Sequence, residues 1–161
     1  MRVLIDGVDG TGKTSVSEKL ANKLGCNIIR LTHDGDRNFR AYSESMIPDN
    51  MVHDRTFLSE MIYSSIFKRG SRLNNDCTSA LFRLIDQYNA KVFILTANIV
   101  TLNERLNKRG DEFIDDFSVI EKIDLKYQQI AYLHDFEVID TTCKNIDQVV
   151  DEIIKRLGVE Q

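Results

Sequence analysis

The chain opens Met1-Arg2-Val3-Leu4-Ile5-Asp6-Gly7-Val8-Asp9-Gly10-Thr11-Gly12-Lys13-Thr14, a short apolar run followed by a complete Gly-x4-Gly-Lys-Thr. Glycines at 7, 10 and 12 let the backbone turn its N–H groups inward around a phosphate, because they reach positive φ and leave room for close approach. Lys13 brings a positive charge to the β- and γ-phosphates, and the Thr14 hydroxyl is placed to ligate Mg²⁺. A helix starting at the loop turns its N-terminal dipole toward the same anion. The bland alternative is a glycine-rich turn, but at average composition the pattern arises by chance in well under about one chain in a hundred. With a strand before it and a helix after it, the stretch predicts a nucleotide-phosphate site made of Gly7, Asp9, Gly10, Thr11, Gly12, Lys13, Thr14 and Ser15.

Working outward, short apolar runs alternate with stretches of helical period. Val3–Ile5 reads as a buried strand, with a helix from about Thr14 to Leu24 stopped by Gly25. Asn27–Leu31 and Met51–His53 read as strands, the latter followed by a helix with Leu58, Met61, Ile62 and Ile66 on one face. A helix over about Asn74–Tyr88 precedes Lys91–Leu95, the clearest strand. Helices follow over about Ile99–Asn107 and Phe117–His134, then a strand at Phe136–Ile139 and a helix over about Ile146–Leu157. Strands apolar on both faces, alternating with helices, imply a doubly wound α/β fold whose parallel sheet is covered on both sides. The pattern does not itself order the strands.

The 161 residues suit one domain, expected to span 1–161, and 42% hydrophobic with 29% charged residues excludes disorder as the dominant state. A net charge of -4 argues against a broad nucleic-acid surface. Any bound anion is held by locally concentrated positive charge. Cys26, Cys77 and Cys143 are widely spaced and odd in number, so a reducing cytoplasm is the expected setting. The histidines His33, His53 and His134 show no zinc spacing. The opening apolar run is too short for a signal peptide, and no stretch approaches a membrane span.

The second informative segment is Asp54-Arg55-Thr56-Phe57-Leu58-Ser59-Glu60-Met61-Ile62-Tyr63. Asp54 follows an apolar pair, which places it at a strand's carboxyl end, where open α/β sheets bind ligands. A carboxylate there holds Mg²⁺ through water or accepts a proton, and Arg55 can clamp a second phosphate with its bidentate fork. His53 should face the opposite side of its strand from Asp54. No guanine-reading Asn-Lys-x-Asp follows the strand ending in Leu95-Thr96-Ala97-Asn98, which argues against a GTPase.

The loop at 7–14, the Asp-Arg-x3-Ser-x3-Tyr at Asp54, Arg55, Ser59 and Tyr63, and Arg105-Leu106-Asn107-Lys108-Arg109-Gly110-Asp111-Glu112 together resemble the thymidylate kinase group of P-loop nucleoside monophosphate kinases, its short phage and bacterial members above all. The resemblance implies a three-layer P-loop NTPase fold with a five-stranded sheet ordered 2-3-1-4-5. It also implies ATP as donor, Mg²⁺, and as acceptor dTMP or another deoxynucleoside monophosphate. Carried across, it gives Lys13 and Thr14 the donor phosphates and metal, Asp9 a place near the acceptor, Asp54 the metal and Arg55 the acceptor phosphate. Arg105 and Arg109, in a lid over about 105–116, would close on the transferring group, and a homodimer is implied.

The chain departs from that group at Thr56, where an aromatic is common, at Ser64, where Gln is common, and at Thr32-His33-Asp34-Gly35 in place of Arg-Glu-Pro-Gly. By the resemblance these positions fall in the acceptor pocket, where the base is read. Arg37 and Arg40 are candidates for the acceptor phosphate and Phe39 for stacking on a base; the alternative is a short solvated helix with one buried aromatic. Tyr63 closes the base pocket or joins the core. Lys108 reads as a solvated neighbour, and Asp111 and Glu112 as a charged loop tip. The stripe Phe117, Ile120, Ile123, Tyr127 and Ile130 is core or a dimer face. Two other activities stay open: a nucleoside kinase using Asp34 or Asp36 as base, and a nucleotide-binding module without turnover.

Overall fold

In a computed structural model of the chain, residues 1–31, 38–110 and 117–159 are described. Five parallel strands, β1 (Arg2–Gly7), β2 (Asn27–Arg30), β3 (Met51–Asp54), β4 (Lys91–Thr96) and β5 (Glu137–Asp140), lie in the order β2-β3-β1-β4-β5. Among the described residues seven helices accompany them: α1 (Lys13–Leu24), α2 (Phe39–Ser45), α3 (Phe57–Ile66), α4 (Asn75–Gln87), α5 (Ile99–Arg109), α6 (Phe117–His134) and α7 (Ile146–Leu157). This is the three-layer arrangement that the resemblance implies.

Strand alternation builds the layers. Val3, Ile5, Phe93 and Leu95 point to one face, where Val16 and Leu20 of α1 and Val149, Val150, Ile153 and Ile154 of α7 cover them. Leu4, Val92 and Ile94 point to the other, under α3 to α6 with Phe57, Leu81, Ile120 and Tyr127. Each such side chain, fully buried, contributes roughly 1.5–3 kcal/mol. Ile120, Ile123 and Tyr127 of the α6 stripe are buried, which makes that face core. Among the described residues no helix is long and apolar enough to cross a membrane.

The boundaries differ from the sequence reading where edges and caps decide them. The edge strands β2 and β5 are half-exposed rather than apolar on both faces. Phe136 lies in the connection after α6, its N–H bonded back to the Ala131 carbonyl, so β5 starts one residue later. Helix α2 exists because the Asn38 side chain accepts from the Ala41 N–H, and it buries Tyr42. The register aligns Ile5 with Asp54, Gly7 with Leu95 and Thr96 with Asp140, which gathers the strand ends at one edge.

Candidate active site

The phosphate loop leaves β1 at Gly7, whose φ is +141° and where a Cβ would lie 2.1 Å from the Leu95 carbonyl oxygen. Only glycine fits so close an approach to the neighbouring strand. The turn closes through the Thr11 hydroxyl, which donates to the Val8 carbonyl at 2.8 Å. Gly12 then caps α1 in the left-handed region. Lys13, the first residue of α1, folds back over the loop, its Nζ 2.8 Å from the Val8 carbonyl and 3.5 Å from Asp9 Oδ1. Burial pushes the Lys13 ammonium down in pKa, against the opposing pull of Asp9.

Asp9 is where the two sequence motifs meet. Arg55 Nη2 lies 2.5 Å from Oδ1 and the Tyr63 hydroxyl donates to Oδ2 at 2.7 Å. Burial alone would raise the Asp9 pKa, but the charges of Lys13 and Arg55 and the bonds from Tyr63 and Arg55 outweigh it and hold the carboxyl well below the usual range. Tyr63 thereby both packs on the core and reaches the loop.

Asp54 ends β3, buried. Its Oδ2 lies 3.6 Å from Arg30 Nε, while Oδ1 is buried with no hydrogen-bond partner among the described residues. The Asp54 charge also acts on Lys13. An unpartnered buried carboxylate oxygen and the loop hydroxyl of Thr14 are hard donors of the kind Mg²⁺ takes, since that ion uses one or two carboxylates and completes its shell with water and phosphate. Among the described residues no three His, Cys, Asp or Glu side chains gather to hold a metal by themselves.

Over the loop opens a cavity of about 680 Å³, lined by Gly10–Ser15 and Asp9 on one side and by α5, the turn after β5 and the start of α7 on the other. Among the described residues, six cations face it: Lys13, Arg55, Arg105, Lys108, Arg109 and Lys144. A chain of net charge -4 thus concentrates positive charge around one space. Arg105 is tethered there, donating to the Thr141 carbonyl at 2.7 Å, the Thr141 hydroxyl at 3.0 Å and the Gly10 carbonyl at 3.3 Å. It forms a wall that joins loop to β5. Arg109, one turn along α5, faces the same cavity.

Four side chains are placed otherwise than the sequence leads one to expect. The Ser59 hydroxyl turns into the core instead: it is buried, 2.8 Å from Asp6 Oδ1 and 2.9 Å from the Tyr127 hydroxyl. Arg40 points to solvent and pairs with Glu44 one turn along α2 at 2.7 Å. Phe39 packs against the core cluster beside Tyr42 rather than standing ready to stack. Lys108, read as a solvated neighbour, lines the cavity. Arg37, Asp34, Asp36, Asp111 and Glu112 lie outside the described residues.

The sequence reading also missed residues. Thr141, Lys144, Asn145 and Ile146 line the cavity from the carboxyl side of β5, the same kind of position that singled out Asp54. Asp6 was readable as a lone carboxylate ending an apolar strand. A second cavity, of about 430 Å³, lies by the start of α5, lined by Thr96, Asn98, Leu102, Glu121, Asp124, Gln128 and Asp140. The Thr96 hydroxyl donates to Asp124 at 2.7 Å, and Gln128 Nε2 donates to the same carboxylate at 2.6 Å.

No family model matches the chain. The SPbeta prophage-derived protein YorR of Bacillus subtilis is 29% identical over 94% of this chain and 96% of its own length. A putative adenylate kinase of Methanocaldococcus jannaschii is 29% identical over 98% of this chain and 86% of its own. A probable thymidylate kinase of the same organism is 28% identical over 96% and 94%. The crystal structure of YorR, in complex with phosphorylated GDP, superposes with a TM-score of 0.82, covering 98% of this chain and 96% of that one at 24% identity, and so shows a shared fold. The likeness to kinases along nearly the whole chain supports a phosphotransferase of the P-loop nucleotide-kinase type, without choosing thymidylate over other nucleotides.

Proposed function

We propose that the protein transfers the γ-phosphoryl group of ATP to a nucleoside monophosphate, dTMP or another deoxynucleoside monophosphate, yielding ADP and the diphosphate. The observation that carries this reading is the Asp9 carboxylate, which brings Lys13 of the donor loop and Arg55 of the second motif to one point. A donor phosphate cradle and a second phosphate clamp a few ångströms apart suit two phosphorylated substrates. In the reaction an acceptor phosphate oxygen forms a bond to the γ-phosphorus, the bond to the β,γ-bridging oxygen breaks, and ADP leaves with that electron pair.

Little covalent chemistry is asked of the protein, so its residues act by position and charge. The loop N–H groups and Lys13 hold the β- and γ-phosphates. Arg55 holds the acceptor phosphate in line, released from Asp9 as that anion takes its place. Arg109 and Lys108 neutralise charge spread over the equatorial oxygens, while Arg105 fixes the cavity wall against Thr141. Thr14 and Asp54 Oδ1 would hold Mg²⁺, which when bound neutralises the donor phosphates.

The test is ADP release with Mg-ATP against a panel of nucleoside monophosphates and free nucleosides. Turnover with one or two monophosphates is expected and names the base. Turnover with nucleosides alone overturns the assignment of Arg55, as does ATP binding without ADP release from any member of the panel.

A further inference from the structure

Three residues before Asp9 stands another carboxylate, Asp6, fully buried at the end of β1. It accepts five hydrogen bonds. Oδ1 receives the Gly7 N–H at 2.9 Å, the Ser59 hydroxyl at 2.8 Å and the Tyr127 hydroxyl at 2.8 Å. Oδ2 receives the Thr56 N–H at 2.9 Å and the Thr56 hydroxyl at 2.7 Å. A carboxylate offers about four lone-pair sites, so this one is saturated. Its donors come from the phosphate loop, the start of α3 and the middle of α6. Burying a carboxylate this deeply costs desolvation that an apolar side chain would avoid, so stability alone gives no reason for it.

The reason lies one residue before Thr56. Arg55 has φ +75°, a left-handed conformation that strains a residue with a Cβ. Such strain persists only where the neighbours over-determine it. Here the Arg55 N–H donates to the Ile5 carbonyl at 3.0 Å, and the next residue is held twice by Asp6. Consecutive residues of the central strand therefore grip both sides of Arg55, and its guanidinium is aimed at Asp9 as a result. Burial and then the Asp6 charge push the Tyr127 phenol well up in pKa, so that it keeps its proton and ties α6 to the same carboxylate.

We propose that Asp6 is a positioning residue for acceptor binding: through Thr56 it holds the strained Arg55 backbone that points the guanidinium at the acceptor phosphate. This rests on the assignment of Arg55 above. It adds a residue that touches neither substrate yet sets how tightly one of them binds.

The test separates the two substrates kinetically, using Mg-ATP with dTMP, or with whichever monophosphate the panel turns over fastest. Thr56→Val keeps the backbone bond to Asp6 and removes the hydroxyl. It should raise the acceptor KM about tenfold, the size of effect expected for one hydrogen bond to a charged group. The ATP KM should stay within about twofold, because the loop is untouched. Thr56→Ser should restore the acceptor KM, and Thr56→Val on an Arg55→Ala background should add nothing. Should Thr56→Val fail to fold, Tyr127→Phe, which removes one Oδ1 donor, reads the same split at smaller amplitude. An acceptor KM that rises in Arg55→Ala but not in Thr56→Val or Tyr127→Phe overturns the role of Asp6 and leaves the clamp standing, as does an equal rise in both KM values. An acceptor KM unmoved in Arg55→Ala removes the clamp, and the role of Asp6 with it.

Discussion

The two cavities at the carboxyl edge of the sheet share their walls and differ in everything that decides what they bind. Helix α5 lines both, with Arg105, Lys108 and Arg109 toward the first and Ile99 and Leu102 toward the second. Adjacent residues at the end of β5 divide likewise, Thr141 facing one and Asp140 the other. Yet the first is ringed by cations around a backbone loop shaped by glycines, while Glu121, Asp124 and Asp140 make the second repel a phosphate. The topology supplies clefts at this edge wherever strands end. Residue type alone makes one of them an anion site.

The most severe way to break that contrast is Lys13→Ala. It should lower kcat/KM about 10³-fold or more, since a positioned cation on the transferring phosphates carries much of the catalysis. Thermal unfolding should show the chain still folded. Substantial activity in the variant would mean that the donor sits elsewhere, the second cavity included.

Acid should separate the regions next. Within β3, burial and then the Arg2 charge pull the His53 imidazole from 6.5 down to about 4. The folded chain therefore binds fewer protons there than the unfolded chain between those values, and stability falls as the pH drops from 6.5 toward 4, by up to about 3 kcal/mol. In the second cavity the sign reverses. Burial, aided by Asp140 and opposed by Thr96 and Gln128, raises the Asp124 carboxyl above its usual 3.8, so its contribution is lost as the pH rises through the folded value. Urea unfolding from pH 7 to 4 should show a steep loss that His53→Leu flattens.

The smallest effect sharpens the contrast from the other side. Asp124→Asn should stabilise the chain near neutral pH by less than about 1 kcal/mol, a modest gain because the carboxylate is partly open to water. That gain should vanish near pH 4, and kcat/KM should change by less than about twofold. A larger loss of activity would give the acidic cavity a part in turnover.

Local rules account for what could be read before the structure. The strands, the helix stops at Gly25 and the phosphate loop are set by residues within a few positions of one another, and they were legible. So was the meeting of the loop with Asp54 and Arg55, because strand ends share an edge. The rest depends on partners distant in sequence. Ser59 looked like a ligand of the acceptor, but Tyr127 and Asp6, 68 and 53 residues away, claim its hydroxyl. Arg105 looked free to close on a phosphate, but Thr141, 36 residues on, tethers it. Arg40 was claimed by something nearer, a glutamate one helical turn along, which the spacing to Glu44 could have shown. Nothing local announces the positive φ of Arg55, which exists because β1 lies alongside.

That central position of β1 also governs when the site can take shape. As the chain leaves the ribosome, residues 2–7 emerge well before their hydrogen-bonding neighbours, residues 51–54 and 91–95. Contacts so far apart in sequence carry a large loop-closure cost and form slowly. Until those neighbours are made, Gly7 has no Leu95 to pack against, Arg55 has no Ile5 carbonyl to hold it, and Asp6 waits for Thr56 and then for Tyr127. This early segment is thus among the last to be set, and phosphate affinity should arrive only once Tyr127 has followed, 121 residues after Asp6 and about 6–24 s later at the usual rates.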